Sequence, residues 1–318
     1  MVIPVKNRRD LLAATIDSLD AQTYDDFEVV VVDDGSSDGS GELAASRSVR
    51  GREVRVVAGA GAGAVRARQV GVAAARGVVL AFTDSDCLPQ PEWLSAGVAA
   101  IDRGADLVNG YTMPARPMLP LERSMASGVE GLFPTCNMFY RRAAFDQAGG
   151  FDDTAGDRWG FRADHRARGD GFGEDTLLAW RIIRGGGTAI YEPEAVVHHE
   201  VFPPDPAELL SRTVRVAAFP AMVREVPELR RTLLRDGWQL GNRTRLPVYA
   251  LGVAVLGRRP RVALLCLLWW AGLRLHELRA FPIPWRRRLE LLPVEMGVDA
   301  VTAAALAVGT VRARSITL

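Results

Sequence analysis

Five consecutive apolar residues, Val78-Val79-Leu80-Ala81-Phe82, run straight into Thr83-Asp84-Ser85-Asp86. An apolar run of that length, bounded by Gly77 and Pro89, predicts a strand buried on both faces. Such strands belong to the interior of parallel sheets covered by helices. Asp84 and Asp86 then fall at the strand's carboxyl end, the edge where open α/β sheets bind ligands. Two carboxylates on one short turn repel each other unless a cation sits between them. Hard oxygen donors suit Mg²⁺ or Mn²⁺, ions that also take diphosphate oxygens. The same residues have a plainer reading, an acidic turn capping the next helix.

The flanking segments alternate between strand and helix patterns. Val2 to Val5 reads as a first strand, and Leu12, Ile16 and Leu19 follow at helical spacing. Phe27 to Val32 is a second strand. It ends in Asp33-Asp34-Gly35-Ser36-Ser37-Asp38-Gly39-Ser40, a loop in which Ser40 is placed to cap a short helix. Val54 to Val57 makes a third strand, followed by Gly59-Ala60-Gly61-Ala62-Gly63 and a helix carrying Arg66, Arg68 and Arg76. These glycines lack the spacing of a dinucleotide-binding loop and do not follow the first strand, so they read as a flexible turn. Pro91 stands where a helix opens. Short strands and a proline-broken loop fill 105–140, and a polar stretch at 152–172 reads as a surface loop. Gly173-Glu174-Asp175 then opens a helix that Gly185-Gly186-Gly187 ends, and Ala195 to His199 closes a later strand. This alternation predicts an α/β fold with a doubly wound, mostly parallel sheet.

Composition separates the two ends of the chain. The 318 residues suit one large or two modest domains, and the boundary falls near residue 205, giving 1–205 and 206–318. A net charge of +1 hides a balance of +9 over 201–318 against −8 over 1–200. An acidic half fit to hold a cation is joined to a basic half fit to meet an anionic surface. The arginines are too dispersed to signal nucleic-acid binding. Cys87, Cys136 and Cys266 form neither a zinc cluster nor a disulfide framework, which points to a reducing compartment. No secretory leader is visible after Met1.

Four features in this order resemble family 2 glycosyltransferases of the GT-A fold: Val2-Ile3-Pro4-Val5-Lys6-Asn7, Asp33-Asp34-Gly35-Ser36-Ser37-Asp38, Thr83-Asp84-Ser85-Asp86 and Gly173-Glu174-Asp175. The resemblance covers about residues 1–205. It implies transfer of a sugar, with inversion, from a nucleotide diphosphate donor to the hydroxyl of a saccharide or lipid-linked acceptor. It also implies roles. Pro4 and Val5 offer backbone groups to the nucleotide, Asp34 accepts a hydrogen bond from the base, and Arg68 grips phosphate oxygens with its fork. Asp84 lies near the ribose. Asp86 holds the divalent metal, Mg or Mn, which offsets charge on the departing diphosphate. Asp175 is the general base, kept ionised at a helix N-terminus. Adjacent strand residues face opposite sides, so at most one of His198 and His199 is expected to face the site. His199 matches the late metal-binding histidine of some GT-A enzymes.

The departures also carry information. Lys6 replaces an aromatic residue common in the family, and the insertion at 152–172 has no counterpart. The Gln-x-x-Arg-Trp signature of processive synthases is absent after Asp175, so single-sugar transfer is expected. Two rival functions remain, a non-catalytic nucleotide-sugar-binding subunit and a sugar-phosphate nucleotidyltransferase. Intact Asp86 and Asp175 argue against the first. Arg8-Arg9 alone does not make the phosphate loop of the second.

Residues 206–235 read as charged amphipathic helices. Leu246 to Gly257 and Val262 to Leu273 are two 12-residue apolar runs, and a last helix is expected over about 294–311. Each run is too short to span a bilayer, which takes roughly 20 apolar residues. Flanking arginines with Trp269, Trp270 and Trp285 suit helices in a membrane interface, core helices, or a hairpin set into one leaflet. The expectation is attachment at the cytoplasmic face of the cell membrane.

Overall fold

The structure, a computed structural model, describes residues 1–128, 131–159, 172–241 and 244–318. The chain divides into two compact units. One is Met1–Arg116 with Ser124–Val201, the other Pro117–Arg123 with Phe202–Leu318.

The first unit is built on an eight-stranded sheet. Its strands are β1 (Val2–Val5), β2 (Val30–Asp33), β5 (Arg55–Ala58), β6 (Val79–Thr83), β7 (Cys87–Pro89), β8 (Leu107–Pro114), β9 (Asn137–Arg141) and β10 (Ala189–His199); β3 (Ser48–Val49) and β4 (Arg52–Glu53) form a separate hairpin. The order across the sheet is β5-β2-β1-β6-β9-β8-β10-β7. Strands β5, β2, β1 and β6 run parallel, and so do β8 and β10. Strand β9 enters antiparallel between β6 and β8, and β7 lies antiparallel to β10. The mostly parallel half therefore delivers β1, β2 and β6 to one edge by their carboxyl ends.

Strand alternation splits the apolar runs between two cores. Val2, Val30, Val32, Leu80 and Phe82 pack on one face with Phe145, Phe151 and Leu178. Ile3, Val5, Val31 and Ala81 pack on the other with Leu12, Ile16 and Trp93. Helix Ala64–Ala74 lies so close to the first face that a Cβ on Gly71 would sit 2.3 Å from Val2.

Three boundaries differ from the sequence reading. Strand β2 starts at Val30 rather than Phe27, because the Phe27 carbonyl accepts from Arg52 (3.1 Å) instead of from a ladder. Ser40 does not cap helix Ser40–Ala45. Gly39 stands at the N-cap with no side-chain cap, the Asp38 carboxylate accepts from the Ser40 backbone N–H at 3.0 Å, and the Ser40 hydroxyl accepts from the Arg8 N–H. Strand β10 begins at Ala189, well before Ala195, with a bulge between Glu192 and Val196. Pro193, lacking an N–H for the ladder, falls inside that bulge.

The second unit is helical. Its main helices are Pro206–Arg215, Phe219–Glu225, Arg245–Leu256, Pro260–Glu277 and Trp285–Ala313. Asp205 caps the first through the Ala207 N–H at 2.8 Å. The last helix is longer than the expected 294–311, because it continues through Pro293. Buried Leu291 and Glu295 hold both sides of that proline in place. Among the described residues this helix alone is long and apolar enough to cross a membrane, by length and composition. It also carries Asp299, which accepts from Trp270 Nε1 at 2.9 Å and from Arg274 at 2.5 Å; Arg274 lies 3.4 Å from Glu295.

Candidate active site

The carboxyl ends of β1, β2 and β6 surround a cavity of about 320 Å³ lined by Pro4, Val5, Lys6, Arg8, Asp34, Gly63, Arg68, Asp84, Ser85 and Asp86. A cavity of about 480 Å³ opens among Met1, Phe27, Gly77 and Val79, at the opposite strand ends. The smaller cavity is the candidate site, since parallel strands present ligands at their carboxyl ends.

The backbone that follows β1 shapes one wall. Asn7 adopts a left-handed φ of 53°, which asparagine tolerates better than most residues. Its side-chain oxygen accepts from the Ser37 N–H at 2.7 Å, and its own N–H donates to Ser36 Oγ at 3.0 Å. This clasp joins the β1 and β2 loops and aims Arg8 at the site. Across from it, the buried Asp34 carboxylate accepts from the N–H groups of Ala62 (3.2 Å) and Gly63 (2.8 Å). The glycine-rich turn is therefore fastened at its far end to β2. Gly61 and Gly63 both have positive φ there, which is what glycine supplies.

Asp86 divides its two oxygens between different partners. Oδ2 receives Arg8 Nη1 at 2.7 Å. Oδ1 lies 3.7 Å from His199 Nε2 and 3.8 Å from Cys87 Sγ. One donor atom from each of Asp86, Cys87 and His199 falls within 4.8 Å of the others. His199 Nδ1 lies 2.8 Å from the Glu200 carbonyl, so that nitrogen carries the proton and Nε2 presents its lone pair. A divalent cation fits this donor set. His198 points away, its ring 3.4 Å from the Gln90 amide. Burial, then Cys136 and Asp86, push the Cys87 thiol well up.

Arg68 joins the cavity to the opening of helix Glu174–Arg184. Its guanidinium is buried, 2.8 Å from Asp84 Oδ1 and 3.6 Å from Glu174 Oε1. Burial alone would lower its pKa, but Asp84, Glu174 and Asp175 hold it above the ordinary value. Glu174 is also buried; burial and the neighbouring Asp175 push it up to about 7, against the pull of Arg68. Burial likewise raises Asp175. Asp175 Oδ1 accepts from the Thr176 N–H at 2.7 Å, and Oδ2 from the Thr135 N–H at 3.3 Å.

Six residues singled out on the donor side, Pro4, Val5, Asp34, Arg68, Asp84 and Asp86, thus share one cavity. His199 meets Asp86 beside it. Asp175 does not line the cavity and is linked to it through the charges of Glu174 and Arg68. The sequence reading gave no role to Arg8, Cys87 or Glu174. Arg8 follows directly after the Asn7 turn, and Glu174 sits beside the candidate base; these were the available signals. Residues 160–171 of the polar insertion lie outside the described residues. The part before them forms a short helix, Ala155–Arg158.

Comparison with known proteins places this geometry. Residues 1–166 match the model for glycosyl transferase family 2. The glycosyltransferase AglE of Haloferax volcanii is 36% identical over 121 residues, covering 36% of this chain and 40% of AglE. The pre-mycofactocin glycosyltransferase of Mycobacterium tuberculosis is 30% identical over 227 residues, covering 63% of this chain and 42% of that protein. The matches therefore span about two fifths of these relatives' lengths. Among solved structures, the mannosyltransferase PcManGT from Pyrobaculum calidifontis, in complex with GDP-Man and Mn²⁺, superposes with a TM-score of 0.54 at 16% identity, covering 98% of this chain and 86% of that one. TarS 1-349 of S. aureus, in complex with UDP-GlcNAc, gives 0.52 at 15% identity, covering 99% and 91%. At such identities the likeness concerns the fold. With more than half of its length matched by the family model and its sheet shared with GT-A enzymes, the chain belongs to glycosyl transferase family 2.

Proposed function

We propose that this glycosyltransferase moves a single sugar, with inversion, from a nucleotide diphosphate sugar to an acceptor hydroxyl. The observation that carries this reading is one cavity holding Asp84 and Asp86 on a single turn, with Arg68 tying Asp84 to Glu174, the neighbour of Asp175. The mannosyltransferase relative with GDP-Man and Mn²⁺ supports it by likeness of fold.

In this reading Pro4, Val5 and Asp34 receive the nucleoside, with Asp84 beside the ribose. Arg68 and Arg8 face the diphosphate as fixed positive charge. Asp86 and His199 would hold the divalent cation. When bound, that ion offsets the negative charge that develops on the departing diphosphate. Asp175 takes the acceptor's proton as its oxygen attacks the anomeric carbon, and the bonding pair leaves with the diphosphate. A non-catalytic subunit would need neither a clustered cation site nor a base held by backbone N–H groups.

The acceptor is a saccharide or a lipid-linked molecule, reached from the cytoplasmic side of the membrane. Exposed Val253, Leu256, Leu264, Leu265, Leu268 and Trp269 supply apolar contact in the helical unit, and exposed Arg258, Arg259 and Arg261 supply charge for anionic headgroups.

The test is donor turnover across a panel of nucleotide sugars. Wild-type protein is expected to hydrolyse or transfer one of them only with a divalent cation present. Asp86→Ala should lose turnover while keeping its circular dichroism spectrum. Undiminished turnover in EDTA, or in that variant, would defeat the metal-assisted reading.

A further inference from the structure

We propose that Cys87 is a third, thiolate ligand of the cation site, so that the site prefers Zn²⁺, Co²⁺ or Fe²⁺ to Mg²⁺. The proposal rests on the reading of Asp86 and His199 as metal ligands and goes beyond it in naming the donor that sets the choice of ion.

Strand pairing brings the thiol to the histidine. Cys87 and His199 are directly opposed in the antiparallel ladder of β7 and β10. Opposed residues present their side chains on the same face of a sheet, with Cβ atoms about 4.5–5.5 Å apart. Asp86, one residue earlier, turns its Oδ1 toward both, at 3.7 Å from the imidazole and 3.8 Å from the sulfur. A tetrahedral shell with bonds of about 2.0–2.3 Å separates its donors by roughly 3.4–3.7 Å. Two of the three donor pairs therefore stand near ligand spacing already, and the sulfur and the ring nitrogen lie within 4.8 Å of each other.

Two of the donors are also held from behind. Arg8 occupies the other oxygen of Asp86 at 2.7 Å, which leaves Oδ1 to face the sulfur and the ring. The Glu200 carbonyl fixes the His199 tautomer that exposes Nε2. Outer partners of this kind orient ligands and raise their affinity for metal.

Chemistry then decides the ion. Mg²⁺ asks for near-octahedral oxygen and gives up water reluctantly, whereas one sulfur, one nitrogen and one oxygen form a borderline-soft set. Three protein donors leave a fourth position open, the pattern of a catalytic rather than a closed structural site. Binding releases the thiol proton to solvent as the sulfur–metal bond forms, so the site exchanges one proton for the ion at this residue.

A fully buried cysteine is otherwise a small apolar filler, and the experiment separates the two roles. Full-length protein, without nucleotide, is titrated with Cd²⁺ and with Co²⁺. Wild type is expected to show a sulfur-to-metal charge-transfer band at one equivalent, with proton release. The Cys136→Ser/Cys266→Ser double variant should keep the band. Cys87→Ser should lose it, with Zn²⁺ affinity down at least ~10-fold, the usual cost of disturbing even an outer-shell partner. Mg²⁺ affinity should change much less. Absence of the band in metal-bound wild type, or its persistence in Cys87→Ala, overturns the proposal; the wild-type measurement does not depend on any variant folding. Transfer is assayed separately. A band without turnover of any nucleotide sugar would sink glycosyl transfer and leave the ligand, and turnover with no band would do the reverse.

Discussion

Glu174 and Asp175 are neighbours in sequence with separable duties. Asp175, held by the N–H groups of Thr135 and Thr176, is the candidate base. Asp175→Asn keeps its size and much of its hydrogen bonding but cannot accept the proton. Donor affinity, measured by calorimetry, should stay within a few-fold while transfer falls by ~10²–10⁴, the usual worth of general-base catalysis. Loss of donor binding in step with rate would instead make Asp175 a nucleotide contact. Glu174 makes its presence felt through stability. Its folded-state pKa of about 7 exceeds the ordinary 4.5, so the folded chain holds a proton that the unfolded chain has released. Between those values stability must decline as pH rises, by up to roughly 1.4 kcal/mol per unit. The benefit is complete below about 4.5 and gone above about 7. Urea midpoints of wild type compared with Glu174→Gln across that range should show a steeper decline in the first than in the second; parallel curves would refute the burial argument. At this scale the sequence was legible where a carboxylate follows a buried strand, as at Asp34, Asp84 and Asp86. It was opaque at Cys87, whose relation to His199 exists only through the register of β7 against β10.

Among the elements, β9 carries the side chain on which three others lean. Asn137 is fully buried, donates to the carbonyls of Tyr111 (3.0 Å) and Ala195 (2.9 Å), and accepts from Trp93 Nε1 at 2.8 Å. A Cβ on Gly110 would stand 2.3 Å from its Oδ1, so the fit leaves no slack. Asn137→Ala strands one donor and two carbonyls, and unmet buried groups cost about 1–3 kcal/mol each. A loss of roughly 2–5 kcal/mol in denaturant-derived stability is expected, and a loss below 1 kcal/mol would mean that water replaces the amide. The strands with continuous apolar runs, β1 and β6, were legible from sequence because burial on both faces leaves no ambiguity of period. Tyr191-Glu192-Pro193-Glu194 concealed the first half of β10, since polar residues and a proline argue against an interior strand. Three-residue β7, ending in a proline, carried no strand signal at all. The long last helix was misjudged at Pro293 for the same reason, a local rule overridden by packing on both sides.

For the molecule as a whole, the helical unit exposes large apolar side chains such as Val253, Leu256, Leu265 and Trp269 while an ion-paired cluster, Arg274 with Asp299 and Glu295, is kept largely inside. A helix that owes two carboxylates to a half-buried arginine is better suited to a bundle lying at an interface than to a lone span. Each basic residue near an anionic surface adds roughly 1 kcal/mol. Full-length protein should therefore float with liposomes in proportion to their anionic content, less so at high salt, and Leu265→Glu/Leu268→Glu should weaken this sharply. Protein that never floats would make these helices ordinary surface. The apolar runs made two of this unit's helices legible from sequence, but which apolar residues face outward depends on helix packing that periodicity could not supply. The sheet order, finally, dictates a sequence of events in time. Gln90 and His198 meet across 108 residues of chain, and the pairing of β7 with β10 that unites them lies at the far edge of the sheet. Closing so long a loop costs entropy that is recovered only once β8 and β9 have given β10 a surface to dock on. The corner that holds Asp86, Cys87 and His199 must then mature after the β1–β2–β5 portion during refolding, and a nascent chain cannot assemble it until most of the first unit has left the ribosome.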